Sequence, residues 1–469
     1  MAQSNPITLR ETQLKSFLTT DMPKLSAIEL QRQQAQWQRD RFDDQYASFI
    51  GATGRWSETD DPRVPSRTAR QSLNYRRQIP KGLTLSGKLM VERQKLAPPP
   101  FTPPPFGGQN YYTPVLGFGV EIDLWRNLWG HLDEQQRNQL AARLRQSKIK
   151  AKLDRKNLHM TLRSLYWQLT AQKHRIAIYR QLVASAKRGY RNIQSQLRDN
   201  IADQGSAAKL SANLSSAQAQ LKTALIRQNF LQKNVQTLIP NLQGRDIQVA
   251  GVYSSIRQAV ARSVACTNKV GHYRGIPYEY TEYDDLIRSI HEALQAESHV
   301  IDAYDSADVK LQANVQSFGL DEELGEAQSQ SLSFDKTGYE MLLTFQMPLG
   351  ELDRTEKLQL AIANQKAKME ETELEAEIKA THENLTKVID HLSAAVDLYH
   401  ESIAQLEEAF RNARQKFQQG RISVHDYLAD QNALLESQIQ VLDIEEQIIM
   451  QTLDYFKVYN QAPCEFNRI

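Results

Sequence analysis

A seam of residues spaced alternately four and three apart runs from Leu165 to Leu197 and recurs, position for position, from Leu385 to Phe417. Its first copy is Leu165, Leu169, Gln172, Ile176, Tyr179, Val183, Ala186, Tyr190, Ile193 and Leu197; adding 220 to each number gives Leu385, Ile389, Leu392, Val396, Tyr399, Ile403, Leu406, Phe410, Ala413 and Phe417. A 3.5-residue period keeps two helices in contact as they wind left-handedly about each other. Two such seams predict a duplicated architecture of long paired helices, one elongated unit in place of several globular domains.

Each seam is broken by turn chemistry and followed by a return helix. Asn200 to Gly205 breaks the first, before helical periodicity resumes as far as Pro240; Gln418-Gln419-Gly420 breaks the second. The second return helix carries two columns seven apart, Tyr427, Leu434, Val441, Ile448, Tyr455 beside Leu428, Leu435, Leu442, Ile449, Phe456. Each half is therefore a helical hairpin. A continuous helix from Leu352 to Phe417 extends on the order of 100 Å at about 1.5 Å per residue, and its return helix about half as far. Strands are expected at one end of this rod and the helix turn at the other.

Ahead of each seam the period changes to two. Leu116, Phe118, Val120, Ile122 and Leu124 alternate with Gly117, Gly119, Glu121 and Asp123; Leu83 to Val91 and Leu73 to Ile79 alternate similarly on either side of the turn signal Pro80-Lys81-Gly82. In the second half, Val309, Leu311, Ala313 and Val315 precede a Gly- and Ser-bearing loop, and Tyr339, Met341, Leu343, Phe345, Met347 and Leu349 follow it. A sheet with one apolar face and no third layer to cover it must bury that face in lipid or in other copies of itself, and only closure removes its edges. Pro98 to Pro105 holds six prolines and reads as a loop.

The expected organisation is a helical segment over 1–43, barrel strands and extracellular loops over 44–125, a helical hairpin over 126–240, and an irregular equatorial subdomain over 241–284. A helix over 285–306, strands over 307–350, the second hairpin over 351–459 and a tail over 460–469 complete it.

Several function classes are excluded or left without support. Charged residues make up 24% of the chain and nearly cancel, at +2, so there is no concentrated basic face for nucleic acid. The mean hydropathy of -0.56 and the lack of any apolar run near ~18 residues exclude a membrane-spanning helix, but not a barrel. His382, His391 and His400 are nine apart, which rotates successive side chains about 180° on a helix and gathers no metal ligands. With no phosphate loop and no nucleophile motif, neither catalysis nor a cofactor or metal is expected. Cys266 and Cys464 are the only cysteines. Two thiols and a single disulfide from the tail to the segment between the halves are both open, the latter requiring an oxidising compartment. Met1-Ala-Gln-Ser-Asn-Pro is not a signal peptide, so either the chain is cytoplasmic or its numbering begins after processing.

With these residues laid out, the chain resembles the TolC-like outer-membrane efflux proteins. The resemblance rests on Ile7-Thr8-Leu9-Arg10-Glu11 at the opening, Glu121-Ile122-Asp123-Leu124 before the first rod, Phe345 to Gly350 before the second, and Gly420-Arg421-Ile422-Ser423-Val424-His425-Asp426-Tyr427-Leu428 at the second turn. It implies a homotrimer with a shared outer-membrane β-barrel, continued by a long periplasmic α-helical coiled-coil barrel. The implied function is an exit duct working with a periplasmic adaptor and an inner-membrane pump, for efflux or type I secretion. It further implies a periplasmic gate at Gly420, Arg421, Asp426 and Tyr427, with Asn200 in the place of Gly420, and lipid contact for Leu116, Phe118, Val120, Ile122, Leu343, Phe345 and Met347. Two departures stand out: an extra pair of strand-like segments in the first half, Leu73 to Ile79 and Leu83 to Val91, and that Asn200 itself; a second aspartate one turn after Asp426 would strengthen the gate reading, but position 429 is Ala, although Asp430 follows. The alternative is a soluble coiled-coil protein whose strands form an oligomerisation head.

Overall fold

Alternating residues and tight turns lay down six antiparallel strands in the computed structural model, which describes residues 6–19, 21–59, 66–96, 110–199, 203–272, 281–304, 306–347 and 354–458. They are β2 (Ser48–Thr59), β3 (Ser66–Ile79), β4 (Leu83–Leu96), β5 (Asn110–Asp123), β7 (Asp308–Phe318) and β8 (Thr337–Gln346), in the spatial order β2-β3-β4-β5-β7-β8. The Pro80-Lys81-Gly82 signal is the β3–β4 turn. Chain contacts divide into two units, and this sheet belongs to the one formed by 33–147 and 288–369; the other is formed by 1–32, 148–287 and 370–469.

Register sorts the sheet's side chains into two faces. One rung joins Ile50, Tyr75, Gly87, Phe118, Val315 and Tyr339; the next apolar rungs join Leu85, Val120, Ala313 and Met341, then Leu83, Ile122, Leu311 and Leu343. The opposite face carries hydrogen bonds between directly opposed residues: Thr53 with Ser72 at 2.6 Å, Arg70 Nε donating to Glu92 at 2.8 Å, Asn314 Nδ2 donating to Glu340 at 3.2 Å. The segment between β7 and β8 corrects the loop expectation, because it holds the helix α6 (Leu324–Ser333). Ala327 and Ser331, one turn apart, are its buried face, a stripe too small and polar to show as hydrophobic periodicity.

The second unit is helical. Here α2 (His131–Arg198) from Lys148 onward and α7 (Arg354–Gln418) from Glu370 onward pack with α3 (Gln204–Leu238) and α8 (Val424–Val458). The 220-residue offset of the seams holds for element ends: 204 and 238 become 424 and 458, and 198 becomes 418. Leu169, Ile176, Ala186 and Ile193 on one seam, and Leu385, Ile389, Val396 and Phe417 on the other, are buried. The Gln that interrupts the first seam is satisfied, since Gln172 Nε2 donates to the Ala224 carbonyl at 2.7 Å and its Oε1 accepts from Arg175 at 2.7 Å.

Two expected segments need correction. Within 1–43, helix is confined to a 3-10 turn (Glu11–Phe17) and α1 (Pro23–Asp44), because Ile7–Leu9 forms a strand, β1, pairing in parallel with β6 (Ile247–Val249). Within 241–284, the expected irregular chain contains β6, α4 (Tyr253–His272) and the first turn of α5 (Glu282–Tyr304). Ile256, Ala259, Val260, Ser263 and Cys266 form the buried stripe of α4, at helical spacing that the flanking Gly and Tyr residues mask in composition. The Cys266 sulfur is disulfide-bonded. Cys464 and the tail, the Pro98–Pro105 loop and Asn200 lie outside the described residues.

Candidate functional site: the helix turns and the apolar sheet face

The turn after α7 is closed from both sides by local chemistry. Gly420 adopts φ +68°, the left-handed conformation that glycine reaches without a Cβ penalty. The Arg421 N–H donates to the Lys416 carbonyl at 2.9 Å and the Gly420 N–H to that of Phe417 at 3.0 Å, the paired bonds of a Schellman C-cap. Two residues on, Ser423 Oγ accepts from the Asp426 N–H at 3.1 Å and donates to the Asp426 carboxylate at 2.8 Å, so Ser423 is the N-cap of α8.

The other turn uses the same pair with the roles exchanged. Asp203 caps α3 by accepting from the Ser206 N–H at 2.7 Å and from Ser206 Oγ at 2.9 Å. Adding 220 to Asp203 and Ser206 gives Ser423 and Asp426. These bonds hold the Asp203 carboxyl below its ordinary range.

Of the expected gate residues, the structure brings Gly420, Arg421 and Asp426 into one turn and leaves the Arg421 and Asp426 side chains exposed. Tyr427 is placed differently. It is 2% exposed, stacked on Phe417 with ring centroids 4.6 Å apart, and seated in a cluster with Ile193, Leu210 and Val424. Its hydroxyl lies 3.4 Å from Ser185 Oγ. It therefore joins the two hairpins, packing α8 against α2, α3 and α7.

On the sheet, Phe118, Val120, Ile122, Leu343, Phe345 and Met347 are exposed, as are Ile50, Trp56, Leu73, Leu89, Tyr339 and Met341; Leu116 is half-buried. No group of metal-binding side chains and no helix apolar enough to cross a membrane occurs among the described residues.

No family model and no curated protein matches this sequence. Solved structures do. A structure of CusC, concerned with folding and transmembrane channel formation, aligns at 12% identity and TM-score 0.62 over 97% of this chain and 94% of its own. The outer membrane protein VceC of Vibrio cholerae aligns at 14% and 0.63, over 95% of each chain. The CmeC outer membrane channel of Campylobacter jejuni aligns at 12% and 0.64, over 97% and 89%. The chain has the outer-membrane channel fold.

Two buried ionic groups in the helical unit of this channel fold have no counterpart in the sequence reading. Glu11 Oε1 accepts from Arg163 Nη2 at 2.6 Å, Arg163 Nε at 2.9 Å and Trp167 Nε1 at 3.1 Å, anchoring the chain's opening to α2. Arg163 and Trp167 are four apart, so their shared helix face was visible, but their partner 152 residues away was not. Glu445, 1% exposed, accepts from the Tyr253 hydroxyl at 3.2 Å with His400 Nε2 at 3.5 Å. Burial pushes its carboxyl up to about 7, and burial holds His400 below the ordinary imidazole range. Glu445 lies within one helical turn of Val441, Leu442, Ile448 and Ile449, on the flank of the two apolar columns of α8, and that placement was the available signal.

Proposed function

We propose that the protein is a passive outer-membrane exit duct of a tripartite efflux or type I secretion system. Its protomer, built from an internal duplication, assembles as a homotrimer. Strands of the three copies form one barrel in outer-membrane lipid, and the helical hairpins form an α-helical barrel in the periplasm, where an adaptor linked to an inner-membrane pump docks. The observation that carries this reading is the sheet: it is apolar and exposed on one face, polar and hydrogen-bonded on the other, and open at both edges. Lipid and further copies are the surroundings that satisfy such a sheet. The fold shared with CusC, VceC and CmeC supports it. The gate lies at the turn of Gly420, Arg421 and Asp426, together with the turn that contains Asn200, where exposed charges from three protomers meet near a common axis. Adaptor binding favours the open state by differential affinity. Density-matched sedimentation in detergent tests the reading: a trimer is expected, and a stable monomer in plain buffer refutes it.

A further inference from the structure

The six-stranded sheet ends at β2 and β8, and their lengths, directions and side chains match each other. We propose that β8 of one protomer pairs antiparallel with β2 of the next at a stagger of six residues, so that every protomer contributes six membrane strands, eighteen in a trimer. Phe345 then faces Ile50, Leu343 faces Ala52, Met341 faces Gly54 and Tyr339 faces Trp56. This inference rests on the outer-membrane duct reading and adds the strand count and the inter-protomer register.

The direction follows from topology. All five pairings within the sheet are antiparallel, so β2 and β8 run in opposite senses and a second protomer continues the alternation without a parallel step. The extra hairpin belongs to this wall, because β3 and β4 run the length of β5. Their turn reaches the end where β5 leaves the sheet: the Asp123 N–H donates to the Gly82 carbonyl at 2.8 Å. Gly82, at φ +71°, comes so close to the Asn127 carbonyl that a Cβ there would lie 2.2 Å from its oxygen. Ile79, Leu83, Leu85 and Leu89 continue the apolar rungs of β5.

The stagger follows from drift across the sheet. On the rung joining Ile50 to Tyr339, β2 extends from Ser48 to Thr59 and β8 from Thr337 to Gln346, so their centres lie on opposite sides of that rung. A stagger of six superposes the centres and pairs all ten residues of β8. It must be even, because an odd one turns an apolar face against a polar one. Six residues over six strand steps tilt the strands by about 35°, given ~3.4 Å per residue and ~4.8 Å between strands, at the lower bound of the barrel range.

Side chains select six over its even neighbours. On the polar face this stagger sets Arg55 opposite Glu340, whereas four sets Arg55 opposite Gly338 and eight sets it opposite Leu342. On the apolar face it sets Trp56 opposite Tyr339, 68% and 76% exposed in one protomer. An aromatic pair and an opposite-charge pair are both favoured cross-strand partners.

Cysteine crosslinking in the intact outer-membrane protein tests this. Antiparallel pairs alternate between wide and close spacing, so both Gly54→Cys/Met341→Cys and Thr53→Cys/Leu342→Cys are oxidised, with Gly54→Cys/Phe345→Cys as the offset control. A covalent trimer from at least one matched pair, and none from the control, is expected. Arg55→Glu should lower trimer yield several-fold, and adding Glu340→Arg should restore it. A native trimer that links at the offset pair, or at neither matched pair, overturns the register and strand count while leaving the duct reading standing. Absence of any trimer in the unmodified protein overturns the duct reading itself.

Discussion

Single side chains in the helical unit carry measurable consequences. Glu445 has a folded-state pKa of about 7, above the ordinary carboxylate value, so the folded protein binds more protons than the unfolded chain between those values. Stability therefore falls as pH rises from about 4.5 to about 7, and the full penalty persists above that. Glu445→Gln should raise unfolding stability at pH 8 by about 3 kcal/mol and change it little near pH 4, read from urea unfolding at the two pH values. Glu11→Ala acts in the opposite sense. It leaves the Arg163 guanidinium, 6% exposed, without its carboxylate, and should cost about 3 kcal/mol in the same assay. Neither residue's ionic role could be read in one dimension, because a buried charge is recognised by what surrounds it, and its partners are far off in the chain.

At the scale of elements, the turns show how local chemistry supports a proposed gate. The Schellman cap at Gly420 and the Ser423 N-cap define where α7 stops and α8 starts, leaving the Arg421 and Asp426 side chains at the surface. Replacing both by Ala should raise single-channel conductance in planar bilayers. Helix content should be nearly unchanged, since Ser423 Oγ still caps the N–H of residue 426. Unchanged conductance beside a clear wild-type current returns both side chains to the solvated helix surface. The capping exchange between Asp203–Ser206 and Ser423–Asp426 was legible as a 220-residue offset, but which partner accepts the backbone N–H required coordinates. Tyr427 illustrates the limit: its place beside the gate motif was visible, and its burial against Phe417 depends on α2 and α3 packing over it.

At the scale of the whole molecule, the exposed sheet face is the decisive property. Val120→Asp and Phe345→Asp should each reduce trimer yield in the outer membrane, because a carboxylate on a lipid-facing strand costs about 2 kcal/mol near the midplane. Normal yield of both variants would place these residues away from lipid. The seams, the strands' alternation and the sequence of strands, long helix, turn and return helix in each half were determined by sequence alone, since periods of 3.5 and 2 are properties of a chain's own side-chain directions. The parallel β1–β6 pair, helices α4 and α6, the ion pair of Glu11 with Arg163 and the six-strand order were decided only in the tertiary structure. Each of these depends on which distant segments meet: a three-residue strand has no period to read, and a helix such as α6, buried on Ala327 and Ser331, shows its face only once something covers it.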